Sequence, residues 1–247
     1  MSGPLSATTP VFDPLTAELA QVEQAQVRAL LPPGLQGTVV QVPGYWPLLN
    51  LDVRSDRAWS LMLAGPNAPM VAPGLRGDLT AWPIASDCAA VVILLHILEQ
   101  VDDPAPLLAE AERVLMPSGR LLIAGFNPWS LCGLRGLAER FGSQSRHWWP
   151  QHLRSVSELR QQLSRLPMQV EEVTTAFFRP PLARHWVLNR TGVMERLGSR
   201  LLPRAGGVYC LAASKRRLAA PTLRLMWQQP SVYGRRPLRE PSWRVAA

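Results

Sequence analysis

The sequence predicts an α/β protein built around a largely parallel sheet, and two observations carry that reading. Residues 89–95 (AAVVILL) and 120–126 (RLLIAGF) are apolar at almost every position, as strands are when helices cover both faces of a sheet. Between them, residues 104–116 place Leu107, Leu108, Ala111, Val114 and Leu115 on one helical face, so a helix crosses from one strand to the next.

The remaining elements follow in chain order. Residues 12–31 repeat apolar side chains at Leu15, Leu19, Val22, Val27 and Leu30 and stop at Pro32-Pro33-Gly34, the pattern of an amphipathic helix and its terminator. Residues 37–44 (GTVVQVPG) and 59–64 (WSLMLA) are short strands, each closed by a Pro/Gly turn. Gly77-Asp78-Leu79 opens a loop before the 89–95 strand. Asp102 or Asp103 is placed to cap the 104–116 helix, and Pro117-Ser118-Gly119 ends it. Residues 127–150, rich in Trp and Arg, read as a helical lid or insertion. Ser155 followed by Glu158 marks a capping box at the start of a helix over 155–166. Residues 168–178 and 207–213 make two last strands, expected as an antiparallel edge.

Composition narrows the function classes. With 247 residues, 47% of them hydrophobic, a sizeable core is affordable and wholesale disorder is excluded. No run approaches the roughly 20 apolar residues of a bilayer span, and the N-terminus lacks the charge-then-apolar layout of a signal peptide. A cytoplasmic chain is expected. Cys88, Cys132 and Cys210 show no CxxC spacing and are expected as reduced, buried residues with no metal bound. The net charge of +8 rests on arginine, since Lys215 is the single lysine. Much of that excess lies in residues 216–247, a Pro/Arg-rich tail expected to be weakly ordered. That tail reads either as a solvated basic segment or as a surface for an acidic partner or RNA.

Residues 77–128 read GDLTAWPIASDCAAVVILLHILEQVDDPAPLLAEAERVLMPSGRLLIAGFNP. In order they present Gly77-Asp78-Leu79, Trp82-Pro83-Ile84, Ser86-Asp87, Val91-Val92, Leu98-Glu99, Asp103-Pro104, Leu108, Glu110, Arg113-Val114-Leu115, Pro117 and Gly119-Arg120-Leu121. This series resembles the central third of class I S-adenosylmethionine-dependent methyltransferases, the methyltransferase type 11 group in particular. The flanking elements extend the likeness over about residues 12–214. The resemblance implies a Rossmann-like, doubly wound, mostly parallel seven-stranded sheet with helices on both faces and an antiparallel edge. It assigns residues 1–215 to the domain, with 126–205 holding a lid that shapes an acceptor pocket.

It also implies S-adenosyl-L-methionine as cofactor, lying across the carboxyl ends of the strands, and a small-molecule acceptor for its methyl group. In that scheme Gln41 and Gly44 belong to the loop after the first strand and Asn67 stands where the ribose contact falls. Asp78 with Leu79 carries the adenine, and Leu95 and His96 line the pocket floor near the sulfonium. His96 is the one candidate general base. Two departures mark the chain. The loop after the first strand is Gln41-Val42-Pro43-Gly44-Tyr45-Trp46-Pro47, with one glycine where the family has several, which restricts backbone approach to a ligand. After the second strand the family's acidic residue is replaced by Asn67.

Several residues keep two readings. Asp78 either contacts an adenine amino group or caps the turn after Gly77. Trp129, Trp148, Trp149 and His147, interleaved with Arg135, Arg140 and Arg146, either stack on a planar substrate or seal a lid onto the sheet. His152 and His185 have no metal-ligand spacing. The whole chain is either a methyltransferase or a non-catalytic protein of the same fold that binds a partner, another ligand or RNA.

Overall fold

The computed structural model describes residues 14–44, 58–64, 74–131, 133, 152–178 and 205–216. Helix α1 (Pro14–Leu30) leads into β1 (Gly37–Pro43), β2 (Ala58–Ala64), β3 (Gly74–Arg76) and β4 (Ala89–Leu95). Then come α2 (Ala105–Val114), β5 (Leu115–Phe126), α3 (Val156–Ser164), β6 (Met168–Ala176) and β7 (Val208–Lys215). The strands form one sheet in the order β3-β2-β1-β4-β5-β7-β6. Strands β1 to β5 pair in parallel, while β7 runs antiparallel to both β5 and β6.

Alternation along β4 explains why its sequence is apolar throughout. Val92 and Leu94 face one side of the sheet, where Leu107, Leu108, Ala111 and Val114 of α2 and Leu159 and Leu163 of α3 pack on them. Val91, Ile93 and Leu95 face the other side and meet Val27 and Leu30 of α1, with Leu122, Ala124 and Cys210 beside them. Both faces are therefore covered, and each fully buried Leu or Ile contributes about 1.5–3 kcal/mol. A smaller group of Leu19, Phe126, Ala176, Phe177 and Val208 continues the α1 side toward the antiparallel edge.

The structure departs from the sequence reading at several boundaries. Strand β3 was not legible: three residues carry too little periodicity, and the strand exists because its backbone pairs with Met62, Leu63 and Ala64 of β2. Helix α2 starts at Ala105, whose N–H donates to Asp103 Oδ1 at 2.9 Å. Strand β5 begins at Leu115 rather than Arg120 and absorbs the predicted Pro117-Ser118-Gly119 stop as a bulge. Its pairing jumps from Ala89↔Leu115 to Val91↔Arg120, with Ser118 at φ +69°. Ser155 caps α3 as expected, its hydroxyl accepting from the Glu158 N–H at 3.2 Å. Cys88 is exposed and Cys210 buried, so burial holds for only one of this pair.

By contacts the chain divides into a unit spanning Met1–Arg217 and another spanning Leu218–Ala247. The second unit, which holds nearly all of the basic tail, lies outside the described residues, as do Trp148, Trp149, His147, His185, Arg135, Arg140 and Arg146. The last described strand is fixed at its end by Lys215, whose Nζ donates to Asp87 Oδ1 at 2.7 Å and to the carbonyls of Glu112 and Leu115. Among the described residues no helix is long and apolar enough to cross a membrane, and no cluster of His, Cys, Asp and Glu is arranged to hold a metal ion.

Candidate active site

The sheet order reverses direction between β1 and β4: the chain winds outward through β2 and β3 on one side and through β5 on the other. In open α/β sheets the carboxyl ends of the strands at such a reversal are the usual ligand position. The described residues that follow or end these strands are Gly44 after β1, Asp78 and Leu79 after β3, Leu95 and His96 at the end of β4, and Asn127 after β5. Asn67 lies outside the described residues.

Gly44 is pressed against the β4 side. Its N–H donates to the Leu95 carbonyl at 2.7 Å, and a Cβ built on it would fall 2.5 Å from the His96 carbonyl oxygen. A glycine is therefore required here by chain packing alone. Gln41 is buried inside β1, in register with Met62 and Ile93, and so lies within the strand and not in the loop after it. Asp78 is exposed, and its Oδ1 accepts from both the N–H and the hydroxyl of Thr80 at 2.8 Å. Those two bonds hold its carboxyl below the usual carboxylate range. Leu79 is half-buried against the core, and its carbonyl accepts the Trp82 indole N–H at 2.7 Å.

Leu95 and His96 do not line an open floor. Both are buried, because α1 closes over the end of β4. His96 Nε2 lies 2.7 Å from Glu23 Oε1 of α1, and Nδ1 lies 3.2 Å from both carboxylate oxygens of Glu99. Phe126 donates its backbone N–H to Glu99 Oε1, and its ring packs tilted on the imidazole with centroids 4.4 Å apart. His96 also holds a left-handed backbone at φ +52°, a conformation that persists only where the surroundings fix it. Its N–H donates to the Ala124 carbonyl at 2.9 Å.

The electrostatics of this cluster follow from burial and charge. Burial alone would lower the imidazole pKa, but the two carboxylates and their hydrogen bonds outweigh it and push it up to about 10. Burial raises the Glu99 carboxyl against the opposing pull of His96. Each ring nitrogen faces a carboxylate oxygen, so an imidazolium donating on both sides satisfies the geometry. With both nitrogens engaged and no exposed surface, His96 in this arrangement has no access to an acceptor's proton.

The segments flanking β4 are held by two arginines, half-buried Arg113 of the shared motif and buried Arg154, which the motif did not include. Arg154 Nε donates to the Leu98 carbonyl at 3.0 Å, Nη2 to the carbonyls of Val101 and Asp102, and Nη1 to Glu158 at 2.8 Å. The segment after β4 is thereby fastened to the start of α3. His152 Nε2 adds a contact to Asp102 Oδ1 at 2.8 Å. Arg113 reaches Ser86 Oγ and the carbonyls of Trp82 and Ile84, while Glu110 accepts the Trp82 N–H at 2.8 Å. Trp129 is 79% exposed just beyond β5. The only sequence sign of Glu23 was a carboxylate standing at helical spacing between Leu19 and Val27.

Comparison with known proteins agrees with this architecture. Residues 58–123 match the family model described as a methyltransferase domain. The structure superposes on a SAM-dependent methyltransferase of Thermotoga maritima, described as a possible histamine N-methyltransferase, with TM-score 0.59 and 17% identity over 82% of this chain and 91% of that one. A SAM-dependent methyltransferase of Archaeoglobus fulgidus gives 0.54 at 16% identity, covering 79% and 94%. A geranyl diphosphate methyltransferase in complex with SAM gives 0.52 at 19% identity, covering 82% and 88%. This is the class I S-adenosylmethionine-dependent methyltransferase fold. The uncharacterized protein YafS of Escherichia coli (strain K12) shares 49% identity over 63 residues, 26% of each chain, so the match spans about a quarter of that curated relative.

Among the described residues, the ends of β1 and β3 carry Gly44, Asp78 and Leu79. Asp78 is an exposed acceptor and Leu79 is half-buried, while the Gly44 N–H is already donated to Leu95. Leu95 and His96 contribute no accessible atom while α1 is docked.

Proposed function

We propose that the chain binds S-adenosyl-L-methionine in a crevice between the ends of β1 and β4 and transfers its methyl group to a small acceptor. The observation that supports this reading is the sheet order, which reverses between β1 and β4, with Gly44 following β1 and Asp78 following β3. Asp78 and Leu79 would hold the adenine end, Asn67 the ribose, and the backbone at Gly44 the methionine end. When bound, the cofactor supplies a methyl group activated by the positive charge of its sulfur. The protein's share is alignment of donor and acceptor and exclusion of water, which needs no general base on the chain. The buried Glu23–His96–Glu99 cluster serves that share by fixing the wall beside the reacting groups. Residues 126–205 would shape the acceptor pocket.

A second reading is favoured by one observation: Gly44, the sole glycine in residues 41–47, already lies against the His96 backbone, and the β4 end is sealed. On that reading the fold is retained for binding a partner, another ligand or RNA, without transfer. Calorimetric titration with S-adenosylmethionine and its demethylated product separates the two. Saturable binding with a raised melting temperature is the expected result. Absence of heat and of any melting shift at millimolar ligand overturns the transferase reading and leaves the second.

A further inference from the structure

Helix α1 presents to the sheet a buried stripe of Leu19, Glu23, Val27 and Leu30 at helical spacing. The stripe is apolar except at its middle. An apolar side chain at position 23 would suffice to dock the helix, whereas a buried carboxylate must be stripped of water and is tolerated only opposite a charge. That charge is His96, met at 2.7 Å. The titratable groups packed about the imidazole, among the described residues, are Glu23 from α1 and Glu99 from the segment after β4. Tyr209 and Cys210 of β7 feel the charges of Glu99 and Glu23 respectively, and β5 contributes the uncharged ring of Phe126.

We propose that the Glu23–His96 contact is a latch: α1 is a releasable cover on the carboxyl end of β4, docked only while His96 carries its positive charge. With a neutral imidazole, Glu23 would be a buried carboxylate facing a ring nitrogen, and lifting α1 is the least disruptive way to return it to water. The sheet's hydrogen-bond ladder does not include α1, and α2 and α3 pack on the opposite face, so the sheet survives release. Release uncovers His96 Nε2 at the end of β4, beside the crevice. The imidazole pKa of about 10 keeps the latch closed at neutral pH. The latch stands whether or not the crevice binds S-adenosylmethionine.

Hydrogen-exchange mass spectrometry on the intact, ligand-free chain tests it, with opening constants corrected for the intrinsic pH dependence of exchange. In the wild type, residues 14–30 should open independently of residues 89–95, and their opening should grow roughly 10-fold or more between pH 7 and about pH 10. Glu23→Gln and His96→Asn, the latter suited to the left-handed backbone, should each raise α1 opening at pH 7 by about 100-fold, the cost of leaving one buried partner alone. The double variant should be no worse than the poorer single one. Glu23→Leu also strands the imidazolium, so α1 should open at pH 7 as in Glu23→Gln, and the growth of opening with pH should be lost. Additive single effects, or α1 exchanging in step with β4 at every pH, or a Glu23→Leu chain that keeps the wild-type pH dependence, would overturn the latch. Because no ligand is present, failure to bind S-adenosylmethionine leaves the outcome unaffected.

Discussion

Glu23 and His96, 73 residues apart in sequence, meet at 2.7 Å with both side chains buried. The contact ties the first helix to the end of the central strand, and the stability of the fold should depend on pH through it. The folded imidazole pKa, about 10, lies above the unfolded value near 6.5. A group raised in this way contributes stability that is complete below the unfolded value and is lost as pH rises through the folded one. Glu99, also raised by burial, acts in the same direction. Urea midpoints should therefore fall steadily between about pH 6.5 and about pH 10. In His96→Asn that slope should flatten. A wild-type midpoint constant across this window would contradict the imidazolium assignment.

Arg154 should behave as a structural clamp. Its guanidinium serves three carbonyls, those of Leu98, Val101 and Asp102, together with Glu158. Arg154→Met keeps the apolar stem but leaves those acceptors without their donor, with an expected loss of about 2–3 kcal/mol in urea unfolding. Arg154→Lys should recover only part of it, because a single ammonium cannot span acceptors that a planar fork reaches together. Full recovery by lysine would mean that charge, rather than fork geometry, holds the segment.

These two contacts show where the sequence was legible and where it was not. The apolar runs of β4 and β5 and the periodicity of α2 depend on local repeats, and each was readable to within a few residues. The pattern shared with methyltransferases was readable too, but much of it turns out to be packing. Glu110, Arg113 and Ser86 pin the segment between β3 and β4 onto α2 rather than touching the crevice rim. Strand β3 escaped because its existence depends on β2, and the clustering of Glu23, His96 and Glu99 escaped because no local rule relates α1 to the end of β4. His96 was singled out for its place at a strand terminus, but only packing reveals that both its nitrogens are spoken for.

Asp78 offers a test of the cofactor end that leaves the fold intact. Its side chain is exposed and its bonds are local, to Thr80 within the same turn, so Asp78→Ala should cost little stability, about 0.5–1 kcal/mol for a lost turn bond. If Asp78 holds the adenine, calorimetry should show affinity for S-adenosylmethionine reduced by about 10-fold or more, one charge-assisted hydrogen bond. Unchanged affinity would assign Asp78 to turn capping alone.

Gly125 and Tyr209 are paired across β5 and β7, and the phenol occupies the space a side chain at position 125 would need. A Cβ on Gly125 would lie 2.5 Å from the Tyr209 hydroxyl oxygen and 3.1 Å from Glu99 Oε1. Gly125→Ala must therefore displace a fully buried ring beside the Glu99 carboxylate, at an expected cost of about 1–3 kcal/mol, as in other overpacked cores. Removing the hydroxyl makes room, so Tyr209→Phe should relieve part of that loss in the double variant. The coupling is read from a double-mutant cycle by urea unfolding. Strict additivity would show that the alanine is accommodated by a shift of β5 rather than by pressure on the phenol, and the Glu99–Phe126 hydrogen bond should then be the contact that weakens.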